Sequence, residues 1–173
     1  MNNELPTRKH PRLKEYDYNS AGGYFLTICV EDMRKLLGEV VGRYDSGAPY
    51  VQLSKYGLVA QKYLEQIELS YQNVFVDKYV VMPNHIHILI RISQDIITPI
   101  NGGAPRSSRP TSMISRILTA FKKLTNKEFR FNMWQDSFHD HIIRNEEDYL
   151  KYLQYIENNP AKWTEDKYYK KEG

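Results

Sequence analysis

The residues able to do chemistry in this chain of 173 residues fall in a few short stretches. The first is Val80-Val81-Met82-Pro83-Asn84-His85-Ile86-His87-Ile88-Leu89-Ile90, an apolar run that carries a His-x-His triplet. Successive side chains of a strand point to opposite faces, so His85 and His87 share one face while Ile86 and Ile88 anchor the other. Two neutral imidazoles side by side on a rigid strand can grip one divalent cation. They leave coordination positions open for a substrate oxygen, as metal-assisted phosphoryl chemistry requires. A second triplet, His139-Asp140-His141, follows later. Taken singly, either triplet can equally be structural or exposed.

The second constellation is Tyr155 and Asn159, which a helix would stack one turn apart. A phenol with a pKa of about 10 is a poor nucleophile at neutral pH. It becomes useful when the attacked phosphodiester is polarised by a metal ion and the leaving oxygen is stabilised. A histidine-held metal facing Tyr155 would supply that, with Asn159 lending its carbonyl oxygen as a third ligand. The plainer reading stays open: Asn158-Asn159-Pro160 as a helix stop and Tyr155 as a packing residue.

A third signal is the interleaving of rings and cations. The chain holds 14 Tyr, many beside a base, as in Lys55-Tyr56, Lys151-Tyr152 and Lys167-Tyr168-Tyr169-Lys170. Such pairs suit phosphate contact and base stacking, or serve as amphipathic boundary residues. Residues 112–127 put Met113, Ile114, Ile117, Leu118, Phe121 and Leu124 on one helical stripe and Arg116, Lys122, Lys123 and Lys127 on a basic face. Arg116, Lys122, Lys123 and Trp134 are the expected nucleic-acid contacts.

The elements that must position these groups can be read from period and punctuation. Strands are expected at 24–30, 35–41, 74–81, 85–92 and 133–143. Helices are expected at 54–69, 112–127 and from Asn145 to Asn158 or Asn159, with Ser54 and Asn145 as N-caps and Pro160 as the terminator. Pro83-Asn84 would form a tight connection or a bulge. The order strand, strand, helix, strand, strand, helix, strand, helix predicts an α+β, ferredoxin-like antiparallel sheet with helices packed on one face. One catalytic domain over 1–173 accommodates it. Residues 1–22 read as a basic arm, 98–110 as a flexible Pro/Gly/Ser loop and 161–173 as a polar tail.

Composition narrows the setting. Basic residues number 24 against 21 acidic, so net charge permits nucleic-acid binding without demanding it. The single Cys29 lies in an apolar run and excludes an intrachain disulfide or a multi-cysteine zinc cluster. The polar start and the lack of a long apolar run predict a cytoplasmic protein with no membrane partner.

The phrase from Tyr79 to Leu89 resembles the signature of the HUH-type single-tyrosine transposases, most nearly the branch called REP-associated tyrosine transposases. The likeness continues in Trp134-Gln135-Asp136-Ser137-Phe138-His139-Asp140-His141-Ile142-Ile143-Arg144 and in Tyr155-Ile156-Glu157-Asn158-Asn159-Pro160. These segments stand in the family's order, between about Tyr16 and Trp163. The resemblance implies a ferredoxin-like enzyme that cuts and rejoins single-stranded DNA at hairpin-bearing ends. It implies His85 and His87 as metal ligands, Mg²⁺ or Mn²⁺ as the ion, and Tyr155 as a nucleophile forming a 5′-phosphotyrosine link. Asn159 falls where the family places a further, variable polar ligand. Relatives include monomers and homodimers. The loop at 98–110 is longer than the family requires, and the second triplet is expected to be structural or DNA-contacting. A non-catalytic single-stranded nucleic-acid binding module on the same sheet is the alternative, and a metal nuclease using water is a third.

Overall fold

The computed structural model describes residues 21–42, 47–93 and 112–170. The expected loop at 98–110 and nearly all of the expected arm lie outside these residues, and β1 already begins at Gly22. Aromatic and β-branched side chains make β1 (Gly22–Cys29) and β5 (His85–Ile92) the central strands of an antiparallel sheet. β4 (Val74–Val81) and β6 (His139–Ile143) flank them, in the order β4-β5-β1-β6. With α1 (Lys55–Glu65) between β1 and β4, and α3 (Met113–Phe129) between β5 and β6, the connectivity is ferredoxin-like and the class α+β, as expected.

Three details differ from the expectation. Residues 50–53 pair with 38–41 as a separate hairpin, β2 (Gly38–Val41) and β3 (Tyr50–Leu53), where turn signals at Gly47 and Pro49 had masked the second strand. A single turn, α2 (Ile67–Ser70), follows α1. The last sheet strand starts at His139, not at Met133, because Trp134 makes only an isolated bridge to Val30.

Two hydrophobic clusters sandwich the sheet. Tyr24, Leu26 and Ile28 of β1 join Ile86, Ile88 and Ile90 of β5 under α1 and α3. Phe25 and Leu89 face the other way and meet Ile156 of α4 (Glu146–Asn158). The expectation that all helices share one face is therefore corrected: α1 and α3 do, and α4 covers the reverse, because both faces of β1 and β5 carry apolar residues. The isoleucine stripe also fixes where the histidines point. A slip of one residue would exchange buried isoleucines for imidazoles, at about 1.5–3 kcal/mol for each apolar side chain lost from the core.

Candidate active site

Register places the chemistry. His87 of β5 lies opposite Thr27 of β1, and Thr27 lies opposite His139 of β6. In the next row Leu89, Phe25 and His141 align in the same way. Both His-x-His triplets therefore stand on the α4 face of the sheet, one strand apart. The Pro83-Asn84 connection is a tight turn, with Met82 N–H bonded to the carbonyl of His85 at 2.8 Å. The bulge falls instead in β4, between Val76 and Lys78.

His85 and His87 are fully buried, and their Nε2 atoms lie 3.0 Å apart. The outer nitrogen of each ring is held. Asn84 donates its amide N–H groups to the carbonyls of Met33 (3.2 Å) and Tyr168 (2.9 Å). Its Oδ1 must then accept from His85 Nδ1 at 2.8 Å, which leaves the Nε2 lone pair of His85 directed inward. Thr27 Oγ1 holds His87 Nδ1 at 2.8 Å. Burial, and then the neighbouring charge of the other ring, push His85 well below the ordinary histidine range, and burial lowers His87 as well. Neutral imidazoles are the metal-binding form.

Tyr155 arrives from α4 with its ring centroid 5.2 Å from that of His87. Asn145 caps this helix through Asp148 N–H, and Tyr152 stacks on Phe25 at 4.3 Å, so α4 is pinned to the sheet at two levels. Tyr155 Oη donates to Asp166 Oδ2 at 2.8 Å, and Asn159 Nδ2 donates to the same oxygen at 2.7 Å. Asp166 Oδ1 accepts from the N–H of Tyr168 at 2.7 Å. The Asp166 side chain is almost wholly buried, and its Oδ2 lies 4.0 Å from His87 Nε2. Burial raises the carboxyl, but the His87 ring, the Tyr168 N–H and the Asn159 amide outweigh it and hold Asp166 well below the usual carboxylate range. Burial and the adjacent carboxylate push the Tyr155 phenol well above its usual value.

His85, His87 and Asp166 offer ligand atoms that all lie within 4.8 Å of one another. Cis ligands about 2.1 Å from an octahedral ion stand about 3 Å apart, which matches the Nε2 pair. Asn159 is buried and its Oδ1 has no hydrogen-bond partner among the described residues. The donor set thus fits a divalent cation.

The expected sites compare as follows. His85, His87, Tyr155 and Asn159 converge. Asp166 was read as part of a polar tail, yet the described part of that segment packs back: Trp163 is buried, and Tyr168 lies against His85 with ring centroids 4.7 Å apart. No spacing rule singles out Asp166, whereas Asn84, adjacent to the first triplet, carried a readable signal. The expected nucleic-acid contacts lie elsewhere. Trp134 is in the core, its Nε1 donating to Thr125 Oγ1 at 2.8 Å, so its ring is not offered to a nucleic acid. Lys122 Nζ caps the carbonyls of Gln135, Asp136 and Ser137. Arg116 and Lys123 are exposed on α3, which covers the sheet face opposite to Tyr155.

Residues 54–159 match the family model described as "Transposase IS200 like", and the chain belongs to that family. An uncharacterized protein of Haemophilus influenzae (strain Rd) is 33% identical over 175 residues, covering 94% of this chain and 93% of that one. A second protein of the same strain, provisionally named a REP-associated tyrosine transposase, is 24% identical over 147 residues, 84% of this chain and 74% of its own. The fold is shared with a solved REP-associated tyrosine transposase bound to a REP hairpin, at a TM-score of 0.62 and 19% identity, covering 91% of this chain and 74% of that one. The protein is a transposase of that family. Among the described residues no helix is long and apolar enough to cross a membrane.

Proposed function

We propose that the protein is a REP-associated tyrosine transposase that cleaves and rejoins single-stranded DNA at hairpin-bearing ends, through a 5′-phosphotyrosine link on Tyr155. The observation that carries this reading is the Tyr155 hydroxyl fixed 2.8 Å from Asp166 Oδ2, beside a buried histidine pair on the same sheet face. His85, His87 and Asp166 would hold Mg²⁺ or Mn²⁺, with Asn159 one helical turn beyond Tyr155 as a further oxygen donor. When bound, such a cation polarises the scissile phosphate and stabilises the departing 3′-oxygen.

The protein's own groups do the rest. Asn84 and Thr27 fix the orientation of the two rings. α4 and Asp166 aim the phenol. The Tyr155 oxygen bonds to phosphorus and the phosphorus–O3′ bond breaks. The phenol gives up its proton to water, and the 3′-oxygen takes a proton from water to become a hydroxyl. In rejoining, a 3′-hydroxyl attacks the same phosphorus and the phenol recovers its proton. Without substrate the proton stays on Tyr155, since ordinary values of about 10 for the phenol and about 3.9 for the carboxyl are pushed further apart here.

The test is to incubate the full chain with labelled single-stranded DNA from the flanks of its own gene, with Mn²⁺ or with chelator, and to look for denaturant-resistant protein–DNA adducts. A metal-dependent adduct is expected. DNA hydrolysis without any adduct would replace the tyrosine mechanism with water attack.

A further inference from the structure

We infer that His141, in the second histidine triplet, is a positioning residue for the nucleophile: it braces the N-terminal end of α4, and through that helix it sets where the Tyr155 hydroxyl stands. This rests on the strand-transfer reading above but concerns a residue outside the reacting groups. Among the described residues the group able to hold a metal ion is His85, His87 and Asp166, so the second triplet is left with another task.

The helix needs such a brace. Within α4 only Ile156 is fully buried, and its apolar seat on the sheet is Phe25 and Leu89. Apolar attraction is non-directional, so a seat of that size holds the helix down without fixing its slide or its roll. A nucleophile demands more, since a displacement of about 1 Å can cost about 100-fold in rate. Directional contacts must supply the difference. On the β4 side Lys78 reaches Glu157 at 3.0 Å, but both side chains are exposed and such pairs add little. Tyr149 bonds to Asp77 on that same side. The opposite flank is held from β6.

There His141 lies opposite Phe25, with its Nε2 2.8 Å from Asp148 Oδ2. This bond holds Asp148 below the usual carboxylate range, so the carboxylate accepts and the ring nitrogen carries the proton. Asp148 stands in the first turn of α4. Its N–H is capped by Asn145, and its Oδ2 also accepts from the N–H of Arg144 at 3.3 Å. The anchor is therefore continuous with the start of the helix. The His141 ring packs against Tyr152, centroids 4.7 Å apart, and Tyr152 stacks on Phe25 at 4.3 Å. Asp148, Tyr152 and Tyr155 follow one another at steps of four and three residues, on one stripe of the helix. Phe25 also meets the edge of Tyr155, centroids 5.8 Å apart. What His141 fixes at Asp148 and Tyr152 is thus passed along that stripe to the phenol, about two helical turns from Asp148.

The experiment compares His141→Leu and His141→Gln with the parent, each as the full chain. Leucine keeps bulk and removes the donor, whereas the glutamine amide can still donate to Asp148. The His141 side chain is 39% exposed, so both variants should fold, which thermal melting checks. Adduct formation on single-stranded DNA from the gene's flanks, in Mn²⁺, gives the rate constant at saturating DNA and the half-saturating DNA concentration. Fluorine NMR of protein labelled with 3-fluorotyrosine reports the Tyr155 environment without any turnover, its signal being assigned by its loss in Tyr155→Phe. His141→Leu should lower the rate constant by about tenfold or more at an unchanged half-saturating concentration, and should shift or split the Tyr155 signal. His141→Gln should restore most of both. A lowered melting temperature with the rate constant and signal unchanged would make His141 a structural residue alone. A raised half-saturating concentration at an unchanged rate constant would make it a DNA contact. Either result, or no restoration by glutamine, would overturn the inference. If the parent forms no adduct, the strand-transfer reading fails and the fluorine signal decides the inference by itself. A normal adduct rate in His141→Leu would leave that reading standing and sink this one.

Discussion

Asn84 makes no contact with the phenol, yet it sets which nitrogen of His85 faces the metal-ligand cluster. Its two amide donors are spent on the carbonyls of Met33 and Tyr168, so its oxygen can only receive the Nδ1 proton. Asn84→Ala removes that constraint and leaves a buried imidazole free to take the wrong tautomer. Partners that orient a metal ligand typically account for about 10- to 100-fold in metal affinity. Calorimetric titration with Mn²⁺ should show a loss of that order for Asn84→Ala and a larger one for His85→Ala or His87→Ala. Unaltered Mn²⁺ affinity in Asn84→Ala would mean that the histidines bind metal without this support. The histidine pair was legible in the sequence because period-2 alternation alone puts both rings on one face. Asp166 was not, because a lone carboxylate among lysines and tyrosines has no pattern until the chain folds back over the site.

At the scale of the element, α3 carries a basic face whose lysines do different work. Spacing correctly identified its buried stripe of Ile114, Ile117, Leu118 and Phe121. The same spacing grouped Lys122 with Lys123, although the first is a structural cap and the second is exposed. Burial pushes the Lys122 ammonium below its ordinary pKa, consistent with a group taken out of water to serve three carbonyls. Lys122→Ala leaves those acceptors without their donor and should cost about 1–3 kcal/mol of stability. Lys123→Ala should fall within about 0.5 kcal/mol of the parent, as exposed substitutions do. Urea unfolding of the two variants measures both. Equal stabilities would show that the segment from Gln135 to Ser137 does not depend on Lys122.

For the molecule as a whole, the ferredoxin-like order was readable because the strands and the two crossover helices carry clean periodicities. Which sheet face each helix would cover was not. The stripe of Tyr149, Tyr152, Leu153 and Ile156 marks α4 as amphipathic, but only pairing shows that Phe25 and Leu89 form its apolar seat. The helix that bears Tyr155 is thereby placed on the histidine side, and the last turns of the described chain close over the pair through Trp163, Asp166 and Tyr168. The account therefore requires one tyrosine among several candidates. Tyr149 and Tyr152 sit on the same helix, but only Tyr155 meets Asp166 through its hydroxyl. The decisive measurement is mass spectrometry of the protein–DNA adduct trapped from the full chain in Mn²⁺, with Tyr155→Phe as control. The account predicts a nucleotide on Tyr155, no adduct in Tyr155→Phe despite intact DNA and metal binding, and retained adduct formation in Tyr149→Phe and Tyr152→Phe. A nucleotide on any other residue, or an undiminished adduct in Tyr155→Phe, would contradict it.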